Sequence, residues 1–197
     1  MILSLQGCMA VGKTTAINYL KEHAKYVHIS YEENKGVVEE IKSRGLDKNK
    51  YEDYLEIQRL WLENEFKRYD KAREHECAIM DFGIEEIIFH TLYYPVTIDK
   101  NWNVEEDMKD ILDRAYSYMP DRILFLDASD EVLRKRKEGD PTRTRSSFEN
   151  YLSKFMPLKR EWFSKMSNVD YINVDNLTKV EVAIKVKEWV DKCKGSM

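Results

Sequence analysis

The stretch Gly7-Cys8-Met9-Ala10-Val11-Gly12-Lys13-Thr14-Thr15 is a full match to G-x-x-x-x-G-K-[ST]. A short apolar run, Ile2 to Gln6, precedes it; from Lys13 onward the apolar residues Ile17, Leu20 and Ala24 recur on one helical face. Strand, glycine loop and helix in that order are the context this motif needs. The glycines let successive backbone N–H groups curl inward toward phosphate oxygens, and the helix N-terminus adds its positive dipole end. Lys13 is then expected to reach the β- and γ-phosphates, and the Thr14 hydroxyl to ligate Mg²⁺. Gly7, Ala10, Val11, Gly12, Lys13, Thr14 and Thr15 are the expected nucleotide contacts. The alternative, a plain turn before a helix that happens to carry Lys-Thr, does not account for motif and flanks together.

Outward from this loop, apolar runs alternate with helical periodicity to both ends, without a linker, repeat or low-complexity tract. A second strand is predicted at Tyr26–Ser30, a helix-prone stretch to about Ser43, and a long amphipathic helix at Tyr51–Glu74. Cys77–Asp81 and Arg122–Asp127 are nearly uninterrupted apolar runs ending in Asp, as strands buried on both faces of a parallel sheet are. Between them the pattern predicts an apolar segment from Ile84 to Tyr94, a break at Pro95 and a helix around Val104–Met119. Ser129 is placed to N-cap a helix through about Lys137, followed by the loop GDPTRTR. Ser146 with Glu149, and Thr178 with Glu181, have capping-box spacing; Pro157 predicts a kink, and VDYINV a fifth strand. These alternations predict an α/β, three-layer, doubly wound five-stranded parallel sheet in a single domain spanning residues 1–197.

The chain has 197 residues, 43% of them hydrophobic, and 32 basic against 36 acidic side chains give a net charge of −4. That composition supports a packed core and argues against a nucleic-acid polymer as partner, since a phosphate-tracking surface carries a clustered basic excess. No run approaches the ~20 apolar residues of a membrane span, and the first residues do not read as a signal peptide, so no membrane association and a cytoplasmic location are expected. Cys8, Cys77 and Cys193 show neither disulfide nor zinc spacing. His23, His28, His75 and His90 show no metal-ligand spacing either. No NKxD tetrapeptide for guanine follows a strand, and the chain is short for a motor. Asp81-Phe82-Gly83 spells the protein-kinase DFG triplet, but the accompanying HRD catalytic loop is missing.

With these features the chain resembles the P-loop nucleoside and nucleoside monophosphate kinases, most closely the deoxynucleoside kinase and thymidylate kinase branch. The resemblance implies the P-loop kinase fold with a helical lid at about residues 134–146, and dependence on ATP and Mg²⁺. In that family a carboxylate follows the second strand, where this chain has Glu32 and Glu33, and a long helix carries a substrate-facing Gln, here Gln58. A strand then ends in an acidic residue, here Asp81, followed by an Arg that helps hold the acceptor or its phosphate. Phe82 stands in place of that Arg, which weakens the case for a monophosphate acceptor; Arg59 and Arg68 on the long helix are the substitutes within reach. RILFLDASDEVLRKRKEGDPTRTR matches the segment leading into an Arg-rich lid, and VDNLT (Val174 to Thr178) takes the place of the loop that covers the base. Many relatives are dimers, which leaves a homodimer open.

Phosphoryl transfer asks a protein mainly to position reactants and neutralise charge, with a carboxylate to orient the attacking oxygen. Asp81 is the expected Walker B-type acid for Mg²⁺; Asp127 has the same local pattern, and the family places the acid on the earlier strand. Glu32 is the candidate nearest the acceptor hydroxyl. Glu85 and Glu86 read as acids opening a helix. Arg143 and Arg145 are expected to act on the γ-phosphate, and Arg134 and Arg136 to flank the nucleotide. Tyr31, Tyr54, Trp61, Phe82, Phe89 and Tyr93 lie where an acceptor pocket is expected. The foremost expectation is therefore a kinase acting on a nucleoside- or nucleotide-like small molecule. A phosphotransferase for an antibiotic or other metabolite hydroxyl, and a non-catalytic nucleotide-binding regulator, are the alternatives.

Overall fold

A computed structural model describes residues 1–139 and 148–195 of the chain. Strands β1 (Ile2–Gly7), β2 (His28–Ser30), β3 (Ala78–Asp81), β4 (Arg122–Asp127) and β5 (Val169–Asn173) form one parallel sheet in the order β2-β3-β1-β4-β5. Every residue of β1 is buried, as are Ile123 to Leu126 of β4. Both sheet faces are covered, so the apolar run of β4 reads as continuous, and in β1 even the polar Ser4 and Gln6 are buried. Helices flank the sheet: α1 (Lys13–His23) packs against α10 (Lys179–Gly195), while α3 (Tyr51–Ala72) packs against α4 (Ile84–Thr97). Strand β1 lies between β3 and β4, pairing Leu5 with Asp81 on one side and Gly7 with Leu126 on the other. The carboxyl ends of β1, β3 and β4 thus lie side by side at a topological switch point, where open α/β sheets bind their ligands.

The remaining helices are α2 (Lys35–Ser43), α5 (Val104–Asp107), α6 (Lys109–Tyr116), α7 (Asp130–Glu138), α8 (Phe148–Asn150) and α9 (Met156–Ser164). Ser129 caps α7 by accepting from the Val132 N–H at 3.4 Å. Thr178 and Glu181 form the reciprocal box before α10, Thr178 N–H to Glu181 Oε2 at 2.8 Å and Glu181 N–H to Thr178 Oγ1 at 3.3 Å. Strand β2 starts two residues later than predicted. Ser146 lies outside the described residues, so its expected capping box with Glu149 is not described; Glu149 pairs with Arg134 at 3.1 Å.

Three helix boundaries depart from expectation for identifiable reasons. Helix α4 runs through Pro95 to Thr97. A proline there cannot donate to the Thr91 carbonyl one turn back, but the Tyr54 hydroxyl donates to it at 2.9 Å, so the orphaned acceptor is satisfied from α3. The predicted helix around Val104–Met119 divides at Met108, whose backbone (φ −114°, ψ 14°) leaves the helical region while its side chain is fully buried. Pro157 falls in the first turn of α9, where its missing N–H is harmless. The irregularity sits just before it, in a π-helical segment Tyr151–Phe155.

Candidate functional site

The loop between β1 and α1 has the backbone a phosphate cradle requires. Gly7 has φ +136°, and a Cβ there would lie 2.4 Å from the Leu126 carbonyl oxygen. Gly12 has φ +117° and Ala10 φ +65°, so three positive-φ residues fall within six positions just before the N-terminus of α1. Lys13 is buried, and its ammonium donates to the Gly7 and Cys8 carbonyls at 2.8 Å each. Burial first, and then the charge of Lys159, push Lys13 down to about 8. An anion between these lysines relieves that repulsion, so the residues present fit a nucleotide's phosphates. Thr14 is exposed at the first turn of α1, and Asp81 lies one strand away, close enough for its charge to act on Lys13. One hydroxyl and one carboxylate, completed by phosphate oxygens and water, are a donor set suited to Mg²⁺.

Beside the cradle opens a cavity of about 510 Å³, with Phe82 at the boundary: its ring lines the cavity, and the Lys13 ammonium lies 4.6 Å from the ring centroid. Tyr54, Trp61, Tyr94, Tyr151 and Phe155 line the cavity with it, as do the polar residues Gln58, Glu32, Glu86, His90 and Lys48. Gln58 is held by the Thr91 hydroxyl, which donates to its Oε1 at 2.9 Å. The π-helical segment brings Tyr151 and Phe155 to the wall; their rings stack 5.3 Å apart. Of the aromatic residues singled out from the sequence, Tyr54, Trp61 and Phe82 are in the wall, Phe89 is in the core with Tyr93 stacked on it, and Tyr31 is exposed.

Phe82 has φ +56°, a conformation disfavoured for a bulky side chain. The turn is held from both sides. Arg68, buried in α3, pairs with Glu65 and donates to the carbonyls of Ser30 at 3.0 Å, Asp81 at 3.4 Å and Phe82. Glu85, fully buried, accepts from the Ser4 hydroxyl, from Gln6 Nε2 at 2.7 Å and from the Gly83 N–H at 3.1 Å, and burial pushes its carboxyl up. Arg68 is therefore committed to backbone, and Arg59 forms a two-pronged pair with Asp110 at 3.0 Å. Neither lines the cavity.

Glu86 is the cavity carboxylate that sequence reasoning passed over. Its Oε2 is 2.5 Å from Lys159 Nζ, and its Oε1 is 3.2 Å from His90 Nε2 and 3.5 Å from the Tyr151 hydroxyl. Burial alone would raise this carboxyl, but Lys159 and His90 outweigh it and bring it down to about 2. Glu32 faces the same cavity from the exposed loop after β2. Asp127 is tied to Arg160, whose Nε lies 3.0 Å from its Oδ1, and Arg160 also reaches Asp130 and the Ala128 carbonyl.

Arg136 donates to the carbonyls of Val11 at 3.2 Å, Val174 at 2.6 Å and Leu177 at 2.8 Å, strapping the cradle to the loop after β5. That loop, Val174 to Thr178, is fixed further by Asp175 accepting from the Ser129 N–H at 2.7 Å. Arg143 and Arg145 lie outside the described residues, as does most of the expected lid. Among the described residues no three His, Cys, Asp or Glu side chains cluster as metal ligands, and His28 and His75 stack on each other 3.7 Å apart. No helix among them is long and apolar enough to cross a membrane.

Strand order, cradle and cavity together define a P-loop fold of the nucleotide-kinase type. A family model described as an AAA domain matches residues 3–167, and the chain belongs to that family. The solved structure of thymidylate kinase from Candida albicans has the same fold, with a TM-score of 0.70 at 15% identity over 98% of this chain and 92% of that one. No curated protein sequence matches this chain.

Proposed function

We propose that this protein is an ATP- and Mg²⁺-dependent kinase that transfers the γ-phosphate to a nucleoside-like acceptor in the cavity beside the phosphate cradle. One observation carries the reading: the ring of Phe82 is both cavity wall and neighbour of the Lys13 ammonium, at 4.6 Å. An acceptor in the cavity is thereby brought against the end of a triphosphate seated on the loop. Backbone N–H groups of Gly7 to Thr15 hold the phosphates, Lys13 neutralises the transferred group, and Thr14 with Asp81 holds the metal, which when bound offsets charge on the β- and γ-oxygens. Arg143 and Arg145 complete the charge neutralisation from the lid.

The accepting atom is a hydroxyl. Among the described lining residues Lys48 is the sole Lys or Arg, and Phe82 stands where the family has an arginine for an acceptor phosphate, so the cavity is poorly equipped to hold a second phosphate. The aromatic wall suits a planar ring, and Gln58 offers paired donor and acceptor to a base edge.

ADP release from Mg-ATP, measured over a panel of nucleosides, nucleoside monophosphates and hydroxyl-bearing antibiotics, tests the reading. Nucleosides are expected to stimulate release well above the rate with water, and Lys13→Ala to abolish it. Equal release by wild type and Lys13→Ala, or no stimulation by any acceptor, refutes it.

A further inference from the structure

Lys159 is fully buried on α9, yet it lies beside the phosphate cradle, with its ammonium 5.2 Å from the centroid of the same Phe82 ring that Lys13 approaches. Placing a lysine there, near another lysine, is costly unless its charge serves a partner. That partner is Glu86, 2.5 Å away. Tyr151 bridges the two: its hydroxyl accepts from Lys159 at 3.3 Å and points to Glu86 Oε1 at 3.5 Å. Three elements therefore converge on one carboxylate at the junction of cradle and cavity. The ionisable groups around it are Lys159 from α9, Tyr151 from the π-helical segment, His90 and Glu85 from α4, and Lys13 from α1.

A carboxylate accepts about four hydrogen bonds, and Glu86 has three neighbours within reach, two on Oε1 and one on Oε2. These are its partners among the described residues, and because Glu86 also lines the cavity, a ligand bound there is brought against the same carboxylate. We propose that Glu86, rather than Glu32, receives the acceptor hydroxyl, and that Lys159, Tyr151 and His90 are positioning residues that aim and ionise it. This assignment rests on the kinase reading. In the step, the acceptor oxygen bonds to the γ-phosphorus as its proton passes to a Glu86 oxygen. The bond from that phosphorus to the β–γ bridging oxygen breaks, and its electron pair leaves with ADP. Glu32 is exposed, whereas Glu86 is held by Lys159, His90 and Tyr151, and fixed groups lower the barrier most. A carboxylate held as low as Glu86 is a weak base, which matches a loose transition state in which orientation of the hydroxyl matters more than early proton removal.

Two sets of variants test the assignment by nucleoside-dependent ADP release. Glu86→Gln keeps the side-chain shape and is expected to lower kcat at least 100-fold with KM for ATP within threefold, while Glu32→Gln costs at least tenfold less in kcat. A Glu86→Gln enzyme that retains more than a tenth of kcat overturns the assignment. Should that variant not fold, Lys159→Met and Lys159→Arg decide through the pH dependence of kcat. Loss of the ammonium leaves burial as the dominant influence on Glu86, so the acid limb is expected to move up by at least one pH unit in Lys159→Met and to return toward wild type in Lys159→Arg. An unmoved limb overturns the assignment while leaving the kinase reading in place. A wild type that binds Mg-ATP and releases no ADP with any nucleoside refutes the kinase reading itself, and the role of Glu86 with it.

Discussion

Replacing Gly7 with alanine tests whether the cradle's geometry is set by backbone contact rather than by charge. At φ +136° an L-residue is strained by about 1–3 kcal/mol. The new Cβ would also lie 2.4 Å from the carbonyl oxygen of Leu126, a distance real Cβ atoms do not adopt. Leu126 is the residue paired with Gly7 across the β1–β4 ladder, so its carbonyl cannot retreat without loosening the sheet beneath the loop. Strain and displacement together place the loss at about 3–5 kcal/mol, the range reached when a special backbone position is violated. For a chain of this size each kcal/mol shifts Tm by about 2–4 °C, so calorimetry is expected to show a fall of about 6–20 °C. Gly36, in α2, has no atom within 4 Å of a built Cβ, and Gly36→Ala is expected to raise stability by about 0.5–1 kcal/mol. A Gly7→Ala protein melting within 2 °C of wild type, with nucleotide affinity intact, would refute the close approach of the loop to β4.

Asp81→Asn removes one anionic oxygen at nearly constant shape, and is expected to abolish most turnover while Tm changes little; retention of more than about a tenth of kcat, under ~1.4 kcal/mol, removes Asp81 from the metal site. Tyr54→Phe strips the Thr91 carbonyl of the donor that Pro95 cannot supply, at a cost of about 1–3 kcal/mol. In a Pro95→Ala background, where an N–H returns, the same change is expected to cost less, and equal costs in a double-mutant cycle would rule the compensation out. The folded-state value of Glu86, about 2, lies below its ordinary 4.5. Its contribution to stability is therefore present above about pH 4.5 and lost as pH falls through 4.5 toward 2. Urea midpoints measured from pH 6 to pH 2.5 are expected to fall less steeply in Glu86→Gln than in wild type, and parallel curves would show that the pair contributes nothing to acid stability.

The sheet was legible because its information is local. A strand buried on both faces tends to be an unbroken apolar run, and Ala78 to Met80 and Ile123 to Leu126 are such runs, while Ile2 to Gln6 is broken by Ser4 and Gln6, whose side chains meet buried Glu85; the cradle is a contiguous nine-residue motif. Boundaries failed where a distant group overrode a local rule. Pro95 reads as a helix breaker until Tyr54, from another helix, supplies the missing donor. The turn at Phe82 adopts a left-handed conformation its sequence does not announce, because Arg68 and Glu85 clamp it from α3 and from its own helix.

The site divides along the same line. Lys13, Thr14 and Asp81 are carried by the strand-loop-helix pattern and the strand end that follows it. Glu86 and Lys159 are 73 residues apart and meet through packing alone. Two acids at the start of a helix have an ordinary explanation in the helix dipole, and a lysine beside Arg160 and Glu161 reads as solvated. One signal was nonetheless present: α4, IEEIIFHTLYYPVT, is apolar nearly all round, and a helix of that kind is buried on most of its surface. Its acids and histidine, Glu85, Glu86 and His90, then require partners from elsewhere in the fold. Glu86 and His90, spaced i to i+4, share a face, and the face they share is the one that meets the cavity. A polar pair on a helix otherwise committed to the core is thus informative about function in a way that an exposed carboxylate such as Glu32 is not, because burying it demands a compensating charge that only a specific tertiary arrangement provides.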